Sequence, residues 1–460
     1  MIEAVSWTLR ELVDAAGGSL TGEAGWGSVD PSLEITGVSI DTRTLQPGQL
    51  FVAIRADRDG HGFVGAAVAA GARAVLVQRG SSAAATASGV AVIEVADTAL
   101  ALSAIGRAAR DRLDGPVVGI TGSVGKTSTK DLAAAAIGAT KIVAASFRSY
   151  NNELGVPLTL ANAPTGCEVA VLEMGARGHG HIAKLCEVAR PDVGVVTAVA
   201  KAHIEMLGDL DGVARAKSEL VAALPPGGVA VLNADYERVR AMVSKTTARC
   251  LLYATALGAQ AASRVDVLAD NIRLDDELRP TFDLHSPWGS LQVRLEARGA
   301  HQVSNATAAL SIAATVGVDL AEAAASVRNA SISALRMELH RTRTGAVLIN
   351  DSYNANPESM AAALVALRDL KAKRMVAILG PMAELGGTGP EEHRKIAALA
   401  EDLGVELVAV ATDDYGIAAL EGVPAIRDAV GDGGPDLAIL VKASRAAGLE
   451  TLAARLVEDI

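Results

Sequence analysis

The sequence predicts an α/β protein of three domains, and three observations lead to this prediction. A chain of 460 residues is too long for a single hydrophobic core. Short apolar runs alternate with helical patterns along the chain, which is typical of mostly parallel sheets flanked by helices. A glycine-rich turn joins one of these runs to a helix near residue 120. Because only 3% of the residues are aromatic, the cores must consist mainly of Ala, Val, Leu and Ile.

The first predicted domain is a small α/β unit at residues 1–113. Apolar runs predict its strands at residues 49–54, 74–77 and 90–94. A helical pattern at residues 98–113 ends just before Asp114-Gly-Pro116. A Gly-Pro pair at this point favours a turn, so we place a domain boundary there.

The central and C-terminal domains are predicted at residues 114–333 and 334–460. Central strands are expected at residues 116–120, 169–172, 193–197 and 229–232, with helical patterns between them that indicate a doubly wound sheet. The alternation restarts after Arg336 in a Rossmann-like pattern, with strands at 347–350, 375–379, 407–411 and 437–441 and helices at 357–370, 390–403 and 443–457. This last unit has no Gly-x-Gly-x-x-Gly motif, so we predict no dinucleotide site there.

The stretch Gly119-Ile-Thr-Gly-Ser-Val-Gly-Lys-Thr127 lies between a predicted strand and a predicted helix, and it has the order of a phosphate-binding loop. We expect Lys126 to reach the β- and γ-phosphates of a nucleotide triphosphate and the Thr127 hydroxyl to face Mg²⁺. Ile120 stands where the general pattern has glycine. A glycine-rich turn without a ligand is the alternative, and Lys-Thr directly after the second glycine argues against it. The nucleotide-binding residues predicted from this loop are Gly122, Ser123, Val124, Gly125, Lys126, Thr127 and Ser128.

Polar residues follow several predicted strands, where ligands of such sheets bind. Glu173 directly follows a strand and is placed to hold Mg²⁺, although an ordinary loop glutamate is the alternative. A lone histidine such as His203 is more often structural than a metal ligand. The spacing around Lys217 favours a lysine that is exposed to solvent on a helix. Helix capping explains Asn356 before Pro357, but it does not explain the whole cluster of Asp351, Tyr353 and Asn354.

Charge and composition exclude other classes of protein. A net charge of −11 argues against a nucleic-acid partner, although local basic residues can still attract an anionic substrate. The three cysteines lack metal-ligand spacing, so reduced thiols and a cytoplasmic location are expected. The sequence shows neither a signal-peptide pattern nor an apolar run long enough to span a membrane.

Taken together, the motifs resemble the Mur ligase family over essentially the whole chain, in the family's order. The matching elements are residues 121–127, Asn151-Asn152, Glu173-Met-Gly175, Ala202-His-Ile-Glu205, Ala216-Lys217, Asn233-Ala-Asp235, residues 299–305, Arg336 and residues 351–357. Further stretches are most similar to the family member that adds a dipeptide, namely residues 39–43 with 59–61, 351–356, 382–386 and 441–445. Residues that depart from the family's usual pattern are Gln302, Asn350, Pro381 and Ala443.

The resemblance implies that the first domain binds the UDP part of UDP-N-acetylmuramoyl-tripeptide through Ser39, Thr42 and Arg43. It implies that the central domain binds ATP and Mg²⁺, and that the third domain brings D-alanyl-D-alanine. The other substrate-binding residues that it implies are Asn151, Asn152, Asn354, Asn356, Lys442, Ser444 and Arg445. A monomer is expected.

The implied reaction activates the peptide carboxylate as an acyl phosphate, which the dipeptide amine then attacks. The resemblance assigns metal binding to Thr127, Glu173, His203 and a Lys217 that is carbamylated by CO₂. The implied catalytic residues are Lys126, Glu173, His203 and Lys217. Contacts to adenosine or the γ-phosphate are implied for Asn305, Arg336, Asp351 and Tyr353. Because Arg336 and Asp351 belong to the third domain, the site should assemble only when the domains close.

Two other functions stay open at this point. One is a different ligase on the same scaffold, such as a folylpolyglutamate synthase or another Mur ligase step. The other is a nucleotide-binding regulator without catalysis, which the presence of Glu173, His203 and Lys217 beside the loop disfavours. A kinase or GTPase is weaker still, because the sequence has no guanine-reading Asn-Lys-x-Asp.

Overall fold

A computed structural model describes residues 5–20, 30–81, 89–201, 204–256 and 265–460. Within these residues the chain forms four sheets, of two, five, nine and five strands. Most strand pairs are parallel, which confirms the predicted α/β class with mostly parallel sheets. The domain boundaries proposed at residues 113/114 and 333/334 stay predictions.

The N-terminal part contains a parallel sheet with one antiparallel edge strand, β2, in the order β2-β7-β6-β5-β4. A separate antiparallel pair joins β1 to β3. The predicted strands are present as β5, β6 and β7, whereas β1 to β4 have two residues each and are too short to show a period. The elements are β1 (Trp7–Thr8), α1 (Leu9–Ala16), β2 (Ser19–Leu20), β3 (Glu34–Ile35), β4 (Val38–Ser39), β5 (Leu50–Val52), α2 (Val64–Ala69), β6 (Ala74–Gln78), β7 (Ala91–Val95) and α3 (Thr98–Asp111).

The central sheet has the order β16-β15-β14-β13-β12-β11-β8-β10-β9, parallel from β9 to β14. Its strands are β8 (Val117–Thr121), β9 (Val143–Ala145), β10 (Val169–Glu173), β11 (Val193–Val196), β12 (Val229–Asn233), β13 (Arg249–Thr255), β14 (Val267–Leu274), β15 (Pro280–Ser286) and β16 (Gly289–Arg294). Its helices are α4 (Lys126–Ile137), α5 (Gly155–Ala161), α6 (His181–Ala189), α7 (Ile204–Leu207), α8 (Leu210–Ala222), α9 (Glu237–Arg240), α10 (His301–Thr315) and α11 (Leu320–Arg328).

The sequence analysis missed the antiparallel end of this sheet, where β15 pairs with β14 and β16. Buried and more exposed residues alternate along most of β15, so one face of the strand packs inward. The strands were predicted from short apolar runs, and an alternating strand such as β15 contains no such run.

The C-terminal sheet has the order β17-β18-β21-β19-β20, with β17 as its antiparallel edge strand. The helix predicted at residues 443–457 begins later than expected, at Glu450. A short 3-10 turn ends at Gly448, whose φ of 63° breaks a regular helix. The elements are β17 (Glu338–Arg341), β18 (Val347–Asn350), α12 (Pro357–Asp369), β19 (Arg374–Leu379), α13 (Gly389–Asp402), β20 (Glu406–Ala409), α14 (Gly422–Val430), β21 (Leu437–Lys442) and α15 (Glu450–Asp459).

The described part of the chain has no helix that is long and apolar enough to cross a membrane. The three cysteines are free. Burial raises the pKa of the Cys186 thiol to about 12, so this thiol stays protonated near neutral pH.

An apolar interface joins the N-terminal and central parts. Helix α3 packs against α5, and residues of both helices belong to one buried hydrophobic cluster. The Trp7 indole N–H donates to the Ala161 carbonyl oxygen at 2.9 Å. The helices approach so closely that a Cβ built on Gly106 would lie 2.6 Å from the Cα of Pro157. The contact therefore requires glycine at residue 106.

We predict that Gly106→Ala lowers stability by about 1–3 kcal/mol, because the added methyl group overpacks this contact. Helix propensity alone would favour alanine by about 1 kcal/mol. Gly65→Ala in α2 is the matched control, since a Cβ there meets nothing within 4 Å. Thermal unfolding of both variants tests the contact, and a raised Tm for Gly106→Ala would contradict it.

Candidate active site

A cavity of about 1310 Å³ lies between the carboxyl ends of the central strands and the C-terminal part of the chain. Its walls come from the loop after β8, the ends of β10 and β12, the start of α10, and α12. The cavity is therefore built by two parts of the chain that are far apart in sequence. The predicted site residues that line it are Ser123, Val124, Gly125, Lys126, Thr127, Ser128, Asn151, Asn152, Glu173, Asn305, Arg336, Asp351, Tyr353, Asn354, Asn356, Lys442, Ser444 and Arg445.

The loop between β8 and α4 has the geometry of a phosphate cradle. Gly122 and Gly125 adopt φ angles of 153° and 84°, which other residues rarely reach. A Cβ on Gly122 would lie only 1.9 Å from the Thr197 Oγ1, so the turn has no room for a side chain. Helix α4 begins at Lys126, and its first N–H groups are therefore available to an anion. The residues present fit a bound nucleotide triphosphate.

Lys126 folds back over this loop, and its Nζ donates to the Gly122 carbonyl oxygen at 2.7 Å. Burial lowers the pKa of Lys126, and the nearby carboxylate of Glu173 opposes that change. An anionic ligand would favour the charged ammonium in the same way. Lys126 is thus placed where a phosphate charge stabilises it.

The Thr127 hydroxyl lies at the centre of the site. It donates to Glu173 Oε2 at 2.8 Å and accepts a bond from Arg336 Nη2 at 2.9 Å. The other Glu173 oxygen accepts from Asn151 Nδ2 at 2.8 Å, and the Glu173 side chain is buried. An ordinary loop position for Glu173 is therefore excluded.

The oxygen donors of Thr127 and Glu173 fit Mg²⁺, which prefers hard ligands and usually keeps several water molecules. Among the described residues, no group of three or more His, Cys, Asp or Glu side chains could hold a metal ion by itself. His203 is also a predicted metal ligand, and it lies outside the described residues.

Arg336 reaches the loop from the C-terminal part of the chain. Its guanidinium lies over the Tyr353 ring at 4.1 Å from the centroid. The buried Nε has no hydrogen-bond partner among the described residues, which fits a ligand oxygen at this point. Leu335 and Met337 on either side have φ angles of 62° and 53°, so the backbone is strained where it presents Arg336.

Lys217 is buried on α8, with 1% of its surface exposed. The solvated lysine favoured by its spacing is therefore wrong, because sequence spacing does not show how α8 packs. Burial, with a smaller contribution from the charge of Lys126, lowers the pKa of Lys217 to about 7. A large fraction of this amine is neutral near physiological pH.

Comparison with known proteins identifies the family. The model described as Mur ligase middle domain matches residues 120–313, the glutamate ligase domain of Mur ligases matches 335–459, and the catalytic domain of the Mur ligase family matches 34–110. The chain belongs to the Mur ligase family. The first two matches meet at the cavity, because one contains the phosphate-binding loop and the other contains Arg336.

Individual relatives agree with the family. The UDP-N-acetylmuramoyl-tripeptide--D-alanyl-D-alanine ligase of Mycobacterium tuberculosis is 37% identical, over 92% of this chain and 93% of the relative. The Escherichia coli enzyme of the same name is 32% identical, over 91% and 89%. A crystal structure of MurF from Acinetobacter baumannii superposes with a TM-score of 0.86 at 29% identity, covering 99% and 100% of the two chains. The fold is shared with MurF from Thermotoga maritima in complex with ADP, at a TM-score of 0.75, 24% identity and 92% and 96% coverage.

Several predicted residues of this Mur ligase already bond within the protein. Asn152 Oδ1 accepts from the Gly155 N–H at 2.9 Å, and Asn356 caps α12 as predicted. The buried Lys442 ammonium pairs with Asp351 at 2.6 Å. The Asn354 carbonyl oxygen accepts from Lys442, and Ser444 Oγ accepts from the Ala383 N–H. Arg445 pairs with Glu450. The substrate contacts of all these residues stay predictions.

The residues predicted to bind UDP lie apart from the cavity. Ser39 ends β4 and is buried, whereas the Arg43 side chain is 86% exposed and pairs with Asp41 at 2.6 Å. Thr42 lies between them and is partly exposed. This Mur ligase therefore presents an exposed guanidinium at the end of β4 in its N-terminal part.

The cavity also contains titratable residues that were not predicted from the sequence, among them Tyr236 and Glu358. The Tyr236 hydroxyl, just after β12, donates to the Glu358 carboxylate at the start of α12. Burial raises the pKa of both groups. Tyr236 directly follows the Asn233-Ala-Asp235 motif, and that position at a strand end was the available signal. Its partner could not be found, because the two residues are 122 apart in sequence.

We predict that Lys126→Ala lowers kcat roughly a hundredfold or more, because it removes a charge-assisted contact worth about 3 kcal/mol in the transition state. The fold should survive, since Lys126 faces the cavity. Lys245→Ala, at an exposed lysine of the same part of the chain, is the control and should keep full activity. Near-normal turnover of Lys126→Ala would show that this loop does not act in catalysis.

We also predict that Lys217→Ala is nearly inactive and that added acetate partly restores its activity, because a small carboxylate can replace a carbamate. Lys217→Arg should stay inactive, since a guanidinium keeps its positive charge. Rates with and without acetate, and in CO₂-depleted buffer, provide the measurement. Full activity of Lys217→Arg without CO₂ would rule out the carbamate.

Proposed function

We propose that this Mur ligase joins D-alanyl-D-alanine to UDP-N-acetylmuramoyl-tripeptide, with ATP converted to ADP and phosphate. The observation that carries the ATP-dependent reaction is the Thr127 hydroxyl, which contacts Glu173 from the central sheet and Arg336 from the C-terminal part. The choice of substrates rests on relatives that bear this name and align over about nine-tenths of both chains.

The chemical problem is that a peptide carboxylate is a poor electrophile. Transfer of the ATP γ-phosphoryl group to a carboxylate oxygen forms an acyl phosphate. The dipeptide amine attacks its carbonyl carbon, and the tetrahedral intermediate releases phosphate as the new amide forms. We assign the neutralisation of phosphoryl charge to Lys126 and Arg336, which the fold holds in place before the reaction.

We assign Mg²⁺ binding to Thr127 and Glu173, together with His203 and Lys217. When bound, Mg²⁺ neutralises phosphate charge and polarises the phosphoryl oxygens. The positively charged ammonium of Lys217 would oppose this. We infer that its neutral amine adds to CO₂, forming an N–C bond and losing one proton to solvent, so that a carboxylate replaces the cation. A pKa of about 7 keeps enough neutral amine for that addition.

The substrate contacts complete the proposal. Asn305, Asp351 and Tyr353, which line the cavity, would contact the ATP nucleotide, and Ser39, Thr42 and Arg43 would hold the UDP group. The nucleotide peptide and the dipeptide would meet the remaining predicted residues, which are Asn151, Asn152, Asn354, Asn356, Lys442, Ser444 and Arg445. We place the enzyme in cytoplasmic synthesis of peptidoglycan precursors and expect it to act as a monomer.

We predict that incubation with ATP, Mg²⁺, UDP-muramoyl-tripeptide and D-alanyl-D-alanine gives a product heavier by one dipeptide unit. Free D-alanine, diaminopimelate or lysine in place of the dipeptide should give little product. Mass spectrometry of the nucleotide products measures this directly, and a reaction without ATP is the control. Efficient addition of free diaminopimelate or lysine to the UDP-muramoyl-dipeptide would assign the chain to another step.

A further inference from the structure

The backbone that presents Arg336 is held by hydrogen bonds of both neighbouring residues. The Met337 N–H donates to Asp351 Oδ1 at 3.2 Å, and the Tyr353 N–H donates to the Leu335 carbonyl oxygen at 3.1 Å. Because Leu335 and Met337 both have positive φ angles, this short segment would relax if it were released. A further anchor lies on its N-terminal side, at Ser333.

Asp131 supplies that anchor from the phosphate-binding helix α4. Its Oδ2 accepts two hydrogen bonds from Ser333, from the backbone N–H at 2.8 Å and from Oγ at 2.7 Å. Asp131 lies four residues after Thr127, so both side chains are on the same face of α4. The helix thus holds Ser333 with one residue and meets Arg336 with another.

Lys130 fixes the Asp131 carboxylate and connects it to the strand that carries Glu173. The buried Lys130 Nζ lies 2.5 Å from Asp131 Oδ1 and donates to the Ser146 carbonyl oxygen at 2.9 Å. The Ser146 hydroxyl in turn accepts the Glu173 N–H at 3.1 Å. Buried charges in a mutually bonded network hold their geometry firmly.

We propose that Asp131, fixed by Lys130, is a positioning residue that sets where Arg336 meets the Thr127 hydroxyl and the γ-phosphate. The cavity-facing groups Thr127, Glu173 and Arg336 are then all held through one helix. The expected effect of Asp131 on kcat rests on the proposed function. Its expected effect on ATP affinity does not depend on the dipeptide substrate, since Arg336 would contact the nucleotide before any amine is bound.

A double-mutant cycle tests the proposal, because a residue that acts through Arg336 loses its effect when Arg336 is absent. Asp131→Ala should lower kcat about tenfold in the otherwise natural chain. In the Arg336→Ala background it should change kcat by less than about twofold. The affinity for ATP with Mg²⁺, measured by calorimetry, should show the same dependence on Arg336.

The matched control is Asp319→Ala. Asp319 also accepts two hydrogen bonds, both from backbone N–H groups, those of Ala321 and Glu322 at the start of α11. These bonds do not involve the segment at Ser333. Its replacement should leave kcat and ATP affinity unchanged in both backgrounds.

Equal losses from Asp131→Ala in both backgrounds, in rate and in ATP affinity, would overturn the proposal and make Asp131 merely structural. If Asp131→Ala does not fold, Ser333→Ala removes only the Oγ bond and enters the same cycle, with a smaller loss expected. If the natural chain forms no dipeptide product, the proposed function fails, and the calorimetric cycle still decides the role of Asp131.

Discussion

The site depends on one hydroxyl group, that of Thr127, which bonds to a carboxylate and to a guanidinium from opposite sides. Glu173 comes from the end of β10, and Arg336 comes from the beginning of the C-terminal part. Parallel pairing of β8 with β10 places the carboxyl ends of both strands at the same edge of the sheet. The glycine-rich loop and the Glu173 carboxylate therefore become neighbours although they are far apart in sequence.

Cations gather at the phosphate-binding loop although the chain as a whole is acidic. The protein has a net charge of −11, yet Lys126 lies close to Arg336 and to the Glu173 carboxylate, and Lys217 lies close enough to Lys126 for their charges to interact. Burial lowers the pKa of both lysines, because desolvation disfavours a cation. A ligand that carries several phosphate charges compensates these cations, which explains how an acidic protein can offer a strong anion site.

The contacts of the central part with its two neighbours combine apolar and polar groups. Apolar side chains and closely packed helices join it to the N-terminal part. On the C-terminal side, Leu278 belongs to a buried apolar cluster with Met337 and other C-terminal residues. Polar pairs also cross there, including Lys201 with Glu392 at 2.8 Å and Tyr236 with Glu358. Polar groups can exchange such bonds for bonds to water, so breaking these pairs loses less free energy than exposure of an apolar contact would.

The sequence by itself determined the features that short-range chemistry controls. The phosphate-binding loop, the strand before it and the Asn356 cap follow from residues within a few positions of one another. The tertiary structure alone decided that Lys217 is buried, that Tyr236 meets Glu358, and that Asp131 holds the segment before Arg336. Burial and pairing depend on which distant surfaces pack together, and a linear pattern contains no distance between residues 131 and 333.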